Sequence, residues 1–180
     1  MYNYKNLTIN EIFSLAVNNH KENKLEVAKK LYYEVLEKDP THQSSLSNLG
    51  TILHKLGENQ KAKDFFEKSI SINPTYADAH NNLGTLFEKS NENQKALICF
   101  EKAIKINPNY LDAHFNVGKI FKKLHEYKKA KDFFEKVIKI NPNYIGAHFN
   151  LGLIFYNLGE INKAKKCYEK IVEIDPEYED

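Results

Sequence analysis

The sequence repeats itself every 34 residues, and this period constrains the fold more than any other feature. The five prolines follow one another at this interval, at Pro40, Pro74, Pro108, Pro142 and Pro176. A fixed period of this length is typical of solenoids, in which each unit packs mainly on its neighbours. Counting back from each proline divides the chain into units of residues 9–42, 43–76, 77–110, 111–144 and 145–178. We therefore predict one repeat domain over residues 1–180.

The spacing of apolar residues within a unit predicts two α-helices. In the first unit, Thr8 and Glu11 have the spacing of a capping box, in which each side chain bonds the backbone N–H of the other residue. Ile12, Leu15 and Ala16 follow at the i, i+3, i+4 spacing of one helix face. The first helix is therefore expected to begin near Thr8 and to present these three side chains as its apolar face.

A second helix is predicted after the break at Asn23 and Lys24. It is expected to end at Asp39, because the proline that follows disfavours helical backbone at the preceding residue. Its apolar set is Val27, Ala28, Leu31, Tyr32 and Val35. The other four units repeat this two-helix pattern.

A glycine recurs within the first helix of the four later units, at Gly50, Gly84, Gly118 and Gly152. Glycine inside a helix costs about 1 kcal/mol relative to alanine, so a close crossing of two helices is the expected reason. An alanine recurs in the second helices of the same units, at Ala62, Ala96, Ala130 and Ala164. We expect the alanines to face the glycines at the crossing.

The order of Leu-Gly or Val-Gly, alanine, an aromatic residue and proline resembles the tetratricopeptide repeat over residues 9–178. The aromatic residues are Tyr32, Phe66, Phe100, Phe134 and Tyr168. The resemblance implies an all-α fold, an α-solenoid of five antiparallel helix pairs in a right-handed superhelix, with the first helices lining the concave face. Where the family often has tryptophan, this chain has Ile12, Leu46, His80, His114 and His148.

An asparagine occupies the sixth place of four units, at Asn48, Asn82, Asn116 and Asn150. The resemblance implies that this place lies on the concave face. Regularly spaced amides offer both donors and acceptors to the backbone of an extended peptide. The series is similar to the asparagine ladder of O-linked N-acetylglucosamine transferases. The alternative is that the amides hydrogen-bond neighbouring helices to one another.

The residues beside the asparagines change in character along the chain. Those of the third unit are polar, and we predict that Asp78, Asn81 and Thr85 contribute hydrogen bonds to a peptide. Those of the last two units are apolar, and Phe115, Phe149 and Tyr156 are predicted to form a pocket for large side chains. Packing between adjacent first helices is the alternative for the two phenylalanines.

A second binding mode known in the family uses basic residues on successive first helices to hold the acidic C-terminus of a partner. Phe13, Asp78 and Asn82 occupy the corresponding places in this sequence. Because Asp78 would repel an acidic tail, the sequence argues against this mode.

Two other kinds of site are not favoured by the pattern. Equivalent histidines of successive units should lie about 10 Å apart, whereas ligands of one zinc ion each lie about 2 Å from it. The histidines are therefore interpreted as packing residues with a satisfied ring nitrogen, and no metal or other cofactor is predicted. The sequence has no paired catalytic carboxylates, phosphate-binding glycine loop or nucleophile–base pattern, so enzymatic activity is not predicted either.

Charge and cysteine content limit the partners and the compartment. The net charge is +2 and all 26 basic residues are lysine, which argues against a nucleic-acid partner. The first 13 residues contain no long apolar run, so neither a signal peptide nor membrane insertion is predicted. Cys99 and Cys167 lie two units apart, beyond the reach of a disulfide. A reducing, cytoplasmic location is the simplest prediction.

Taken together, the sequence predicts a protein–protein interaction module that holds an extended peptide or partner segment. Two alternatives remain open at this stage. The chain could be the substrate-targeting region of a larger enzyme, such as a glycosyltransferase or sulfotransferase. It could also be a scaffold that self-associates through its C-terminal repeat, since the last second helix would leave an uncapped face.

Overall fold

The structure, a computed structural model, describes residues 7–178, and within them it contains ten α-helices and no strand. The first helices of the units are α1 (Ile9–Lys21), α3 (Gln43–Lys55), α5 (Ala77–Lys89), α7 (Leu111–Lys123) and α9 (Ile145–Asn157). The second helices are α2 (Leu25–Lys38), α4 (Asn59–Ile72), α6 (Asn93–Ile106), α8 (Tyr127–Ile140) and α10 (Ile161–Ile174). The all-α prediction and the two-helix unit are confirmed.

The chain divides into two compact units, Met1–Ser90 and Asn91–Asp180. Unit 1 contains α1 to α5, and unit 2 contains α6 to α10. In unit 1, each helix packs on the next from α1 to α5. The same holds in unit 2 for α6 with α7, α7 with α8, α8 with α9 and α9 with α10. The division does not test the prediction of a single repeat domain over residues 1–180, which stays a prediction.

The predicted ends of the first two helices are confirmed. The Thr8 backbone N–H donates to Glu11 Oε2 at 2.8 Å, and the Glu11 backbone N–H donates to Thr8 Oγ1 at 3.3 Å. This capping box starts α1. Helix α2 ends at Lys38, and Asp39 adopts extended backbone before Pro40.

A left-handed residue makes the tight turn between the paired helices. The φ angle is +58° at Asn23, +81° at Gly57, +60° at Asn91, +59° at His125 and +74° at Gly159. Glycine and asparagine adopt this region at low cost, which explains why they fill four of the five places. The turn reverses the chain within three residues, and inside the two units it sets α2 back on α1, α4 on α3, α8 on α7 and α10 on α9.

Three of the glycines in the first helices, Gly50, Gly118 and Gly152, face an aromatic ring. A Cβ atom at Gly50 would lie 2.6 Å from Phe66 Cε1, and one at Gly152 would lie 2.6 Å from Tyr168 Cε1. At Gly118 the nearest atom is Phe134 Cε1, at 2.8 Å. The ring atoms are the nearest neighbours of these glycines across the crossing, and the prediction that the alanines face the glycines stays a prediction. The prediction of a close approach is confirmed.

The apolar face of α1 is only partly covered. Ile12 and Ala16 are fully buried, but Leu15 is 37% exposed. The equivalent Leu49 is fully buried in α3, where helix α2 packs against it. Among the described residues no helix precedes α1, so the side of α1 that carries Leu15 faces solvent. In α2, Val27 is likewise exposed, whereas the rest of its predicted apolar set is buried.

The histidines of the last three repeats form a hydrogen bond with the turn that precedes their own helix. His80 Nε2 donates to the Pro74 carbonyl oxygen at 3.0 Å. The corresponding distances are 2.9 Å from His114 to Pro108 and 2.8 Å from His148 to Pro142. All three rings are buried. The prediction of packing histidines with a satisfied ring nitrogen is confirmed.

Candidate peptide-binding surface

The predicted site residues all lie on first helices, and we call the part of these helices that carries them the first-helix surface of each unit. In unit 1 it includes Asn48 of α3 and Asp78, Asn81, Asn82 and Thr85 of α5. In unit 2 it includes Phe115 and Asn116 of α7 and Phe149, Asn150 and Tyr156 of α9. Each unit is described below by itself.

In unit 1, Asn82 joins α5 to α3. Its Nδ2 donates to Ser47 Oγ at 3.0 Å, and Asn82 itself is half-buried. This is the helix-bridging role that the sequence left as an alternative. An amide has two N–H groups and an oxygen with two lone pairs, so one bond to Ser47 orients the group and leaves it capacity for a ligand.

Asn48 lies beside the hydroxyl group of Tyr32. Burial raises the pKa of Tyr32 to about 12, and the nearby Asn48 amide offsets part of this rise. The hydroxyl group is buried without a hydrogen bond of standard geometry, so the contact with Asn48 is a weak one. Asn48 itself is half-buried, and its amide is less firmly held than that of Asn82.

The other polar residues of α5 differ in how open they are. Asp78 is exposed, and its charge helps to raise the pKa of Tyr76, after the larger effect of burial. Thr85 is half-buried, and its hydroxyl group donates to the Asn81 carbonyl oxygen at 3.1 Å. Asn81 is 7% exposed, with a buried Oδ1 that has no hydrogen-bond partner. Asp78 is therefore the most open of the three, and Asn81 carries an unused acceptor.

In unit 2, Asn150 is already bonded at both ends of its amide. Its Nδ2 donates to the Gly146 carbonyl oxygen at 2.7 Å, and its Oδ1 accepts a hydrogen bond from Lys122 Nζ. Asn150 is 7% exposed. A ligand could reach this amide only by displacing Lys122. Asn116, on α7, is half-buried.

Lys122 is a partly buried cation on α7 with a lowered pKa. Burial lowers its pKa, and the nearby charge of Lys119 lowers it further. Both effects disfavour the ammonium form, and the hydrogen-bonded Asn150 is a neutral partner. A carboxylate placed here would relieve this cost. The sequence reading missed Lys122, because its bond to Asn150 joins residues 28 positions apart and the 34-residue period does not reveal it.

Phe115 is held by packing on two sides. Its ring centroid lies 5.0 Å from that of Tyr144 and 5.6 Å from that of Phe134. A Cβ atom at Gly146 would come within 3.1 Å of Phe115 Cζ, so the ring fits closely against the start of α9. This is the packing alternative stated for Phe115, although the ring stays half-buried.

Phe149 and Tyr156 lie in different surroundings. The ring of Phe149 is half-buried and lies 6.4 Å from that of Tyr168. Tyr156 is 63% exposed and lines a groove along α10. The structure therefore places Phe149 with the second-helix ring of its own unit and Tyr156 at the surface of α10.

The chemistry of these residues is that of hydrogen bonding and apolar contact. No group of three or more His, Cys, Asp or Glu side chains within residues 7–178 could hold a metal ion. Several lysines of the second helices form ion pairs with glutamates of their own helix or its cap, as Lys129 does with Glu126 and Lys131 with Glu135. Both cysteines are free thiols.

Solved structures of repeat proteins share this fold. The chain is 27% identical to MamA, with 89% of this chain and 94% of that chain covered and a TM-score of 0.75. It is 24% identical to YrrB, described as a TPR protein with an unusual peptide-binding site, over 93% of this chain and 86% of that chain, with a TM-score of 0.68. PilF of Pseudomonas aeruginosa is 19% identical over 92% of this chain and 75% of that chain, with a TM-score of 0.86.

The family model of the tetratricopeptide repeat matches residues 44–76, 77–110, 111–144 and 146–178, which is more than half of the chain. The chain therefore belongs to the tetratricopeptide repeat family, whose members are generally protein-interaction modules. No curated protein matches the sequence. Among the described helices, none is long and apolar enough to cross a membrane.

Proposed function

We propose that the protein binds an extended segment of a partner protein along the first-helix surface. The observation that carries the proposal is the asparagine amide repeated on successive first helices, fixed by Ser47 in unit 1 and by Gly146 and Lys122 in unit 2. Amides held in this way can pair with a peptide backbone whatever its side chains are. The similarity to asparagine-ladder repeats supports the same assignment.

Each unit favours different side chains of the segment that it binds. Unit 1 offers polar groups at Asp78 and Thr85. Unit 2 offers the half-buried ring of Phe149 and the desolvated ammonium group of Lys122. A segment with an acidic residue would pair with Lys122 and release Asn150 for the backbone. We therefore propose a preference for segments that combine an acidic residue with a large apolar one.

The amides are tested by a peptide-array or pull-down comparison of the native chain with the double variant Asn82→Ala/Asn116→Ala. Loss of one backbone hydrogen bond costs about 1 kcal/mol, so the double variant should bind at least about tenfold more weakly. Asn143→Ala, in the exposed turn before α9, is the matched control and should bind like the native chain. Equal capture by the double variant and the native chain would refute the role of the amides.

The apolar contact is tested separately by titrating a captured peptide against Phe149→Ala, with circular dichroism as the folding control. Weaker binding by a folded variant supports the pocket. Unchanged affinity with intact folding would remove Phe149 from the site while leaving the role of the amides standing.

A further inference from the structure

The exposed side of α10 carries an apolar groove of about 570 Å³. Its lining consists of Tyr156, Ile161, Ala164, Lys165, Tyr168, Glu169 and Val172. Ile161 is 56% exposed and Val172 is 58% exposed, which is unusual for aliphatic residues that occur at helical spacing on one face. We call this surface the α10 face.

The equivalent surface of α8 shows what such a face receives. One unit earlier, the same places hold Tyr127, Ala130, Phe134 and Ile138, and helix α9 packs on α8. Ala130 and Phe134 are fully buried there. The α10 face keeps this apolar pattern, so its chemistry suits a second helix laid across it.

The outward side of α1, at the other end of the repeat series, has the opposite character. In α3, the residues that pack toward the preceding helix include Leu49 and Ile52, both fully buried. The matching places in α1 hold Leu15 and Asn18, and Glu11 stands one turn before them, exposed to solvent. Head-to-tail stacking of two copies would press Glu11 and Asn18 against the α10 face, at the cost of desolvating them.

The α10 face is complementary in charge to the same face of a second copy. The residues of the face that belong to α10 lie at i, i+3, i+4, i+7, i+8 and i+11, counted from Ile161 as i. This set is symmetric about the middle of the helix. If a second copy lies antiparallel across it, Ile161 meets Val172 of that copy. Lys165, whose ammonium group lies 3.6 Å from Glu169 of its own helix, then lies beside Glu169 of that copy.

We propose that the α10 face is a homodimer interface, with two copies of this chain joined through α10 about a twofold axis. A twofold contact uses the same patch on both copies and closes after two. Because the patch is smaller than the roughly 800 Å² per partner of a standard interface, the dimer should dissociate in the micromolar range. The contact uses a different surface from peptide binding, so either can fail without the other.

The first test is sedimentation velocity of the native chain from low to high micromolar concentration. The expected result is a monomer that converts to a dimer and to nothing larger. Val172→Glu should stay monomeric throughout. Ile98→Glu, which charges an equally exposed isoleucine on the outside of α6 (47% exposed), should dimerise like the native chain. A native chain that stays monomeric, or that grows beyond a dimer, would overturn the proposal.

The second test uses the charge pair. Lys165→Glu leaves two acidic groups on the α10 face, and Glu169→Lys leaves two basic ones, so each variant alone should lose at least about tenfold in dimer affinity. Mixed in equal amounts, the two should form heterodimers, detected with a fluorescent label on one of them. Native-like dimerisation of both single variants, or no heterodimer in the mixture, would overturn the antiparallel pairing.

Discussion

Two buried serines of unit 1 occupy places that later units fill with apolar residues. Ser45 and Ser69 are both fully buried, and neither hydroxyl group has a hydrogen-bond partner. The matching places hold Ala79, Ala113 and Ala147 for Ser45, and Ala103, Val137 and Ile171 for Ser69. Each buried, unpaired hydroxyl group carries a desolvation cost that the alanines avoid.

Replacement of either serine by alanine should therefore stabilise the protein. We expect Ser45→Ala and Ser69→Ala each to raise the free energy of unfolding by about 1 kcal/mol, from the removed hydroxyl group and the better helix propensity of alanine. Urea unfolding followed by circular dichroism measures this.

The matched control is Ser71→Ala in the same helix as Ser69. The Ser71 hydroxyl group is exposed and donates to the Lys68 carbonyl oxygen at 2.8 Å, so its removal should gain less than that of Ser69. If Ser45→Ala and Ser69→Ala both destabilise the fold, their hydroxyl groups are satisfied in solution and the explanation fails.

The crossing of paired helices depends on the contact between a glycine and a ring. In α3 and α4, Phe66 lies against Gly50 so closely that any side chain there would overlap the ring, and Phe66 itself is buried. Since core rings are fixed by their neighbours, the ring cannot withdraw freely. The glycine therefore sets the distance between the two helices.

Gly50→Ala should destabilise the protein despite the better helix propensity of alanine. Overpacking costs about 1–3 kcal/mol, and the gain in propensity offsets about 1 kcal/mol of it. In the double variant Gly50→Ala/Phe66→Leu the smaller side chain leaves room for the methyl group. The double variant should therefore lose less stability than the sum of the two single variants.

A double-mutant cycle by urea unfolding measures this coupling. Additive losses from the two substitutions would contradict a direct contact between Gly50 and Phe66. A coupling of 0.5 kcal/mol or more in the compensating direction would support it.

The sequence predicted the helices well because their signals are local. The spacing of Thr8 and Glu11 and the proline after Asp39 fix helix ends within a few residues. It did not indicate that Leu15 would be exposed or that rings would be the nearest neighbours of the glycines, because periodicity gives the face of a side chain without showing whether a neighbour covers it or how far a ring reaches. The bond from Lys122 to Asn150 joins residues of successive units, and no local pattern encodes it.

At the scale of the whole molecule, the exposed side of α1 in unit 1 and that of α10 in unit 2 differ in polarity. The outward side of α1 carries Glu11 and Asn18 where inner units have small or apolar residues, while the α10 face keeps its aliphatic ones. Solenoids commonly need polar end surfaces for solubility. This chain has one such surface among its described residues.

Asn18→Ile should change how the protein assembles. Isoleucine occupies the same place in α3, α7 and α9, as Ile52, Ile120 and Ile154. With an apolar side on α1 as well as on α10, the variant should form species larger than a dimer at concentrations where the native chain stops at two copies. A contact between two different surfaces does not close the assembly after two copies. Light scattering coupled to size-exclusion chromatography measures the mass.

The control is Lys68→Ile, which adds an isoleucine at an exposed position of α4 instead of α1. It should behave like the native chain. If Asn18→Ile never exceeds the mass of the native assembly, the polarity of α1 does not limit growth.

The bond between a histidine and the proline carbonyl before it has a consequence for the history of the chain. Pro108 and His114 are six residues apart, as are Pro142 and His148. Both partners of the hydrogen bond that joins two repeats are therefore encoded in one short stretch of the sequence, which we call the joint. An internal 34-residue block copied in tandem carries its joint with it and needs no matching change elsewhere. The first two repeats have Ile12 and Leu46 at this place, so only a copy of one of the three later repeats would carry this joint.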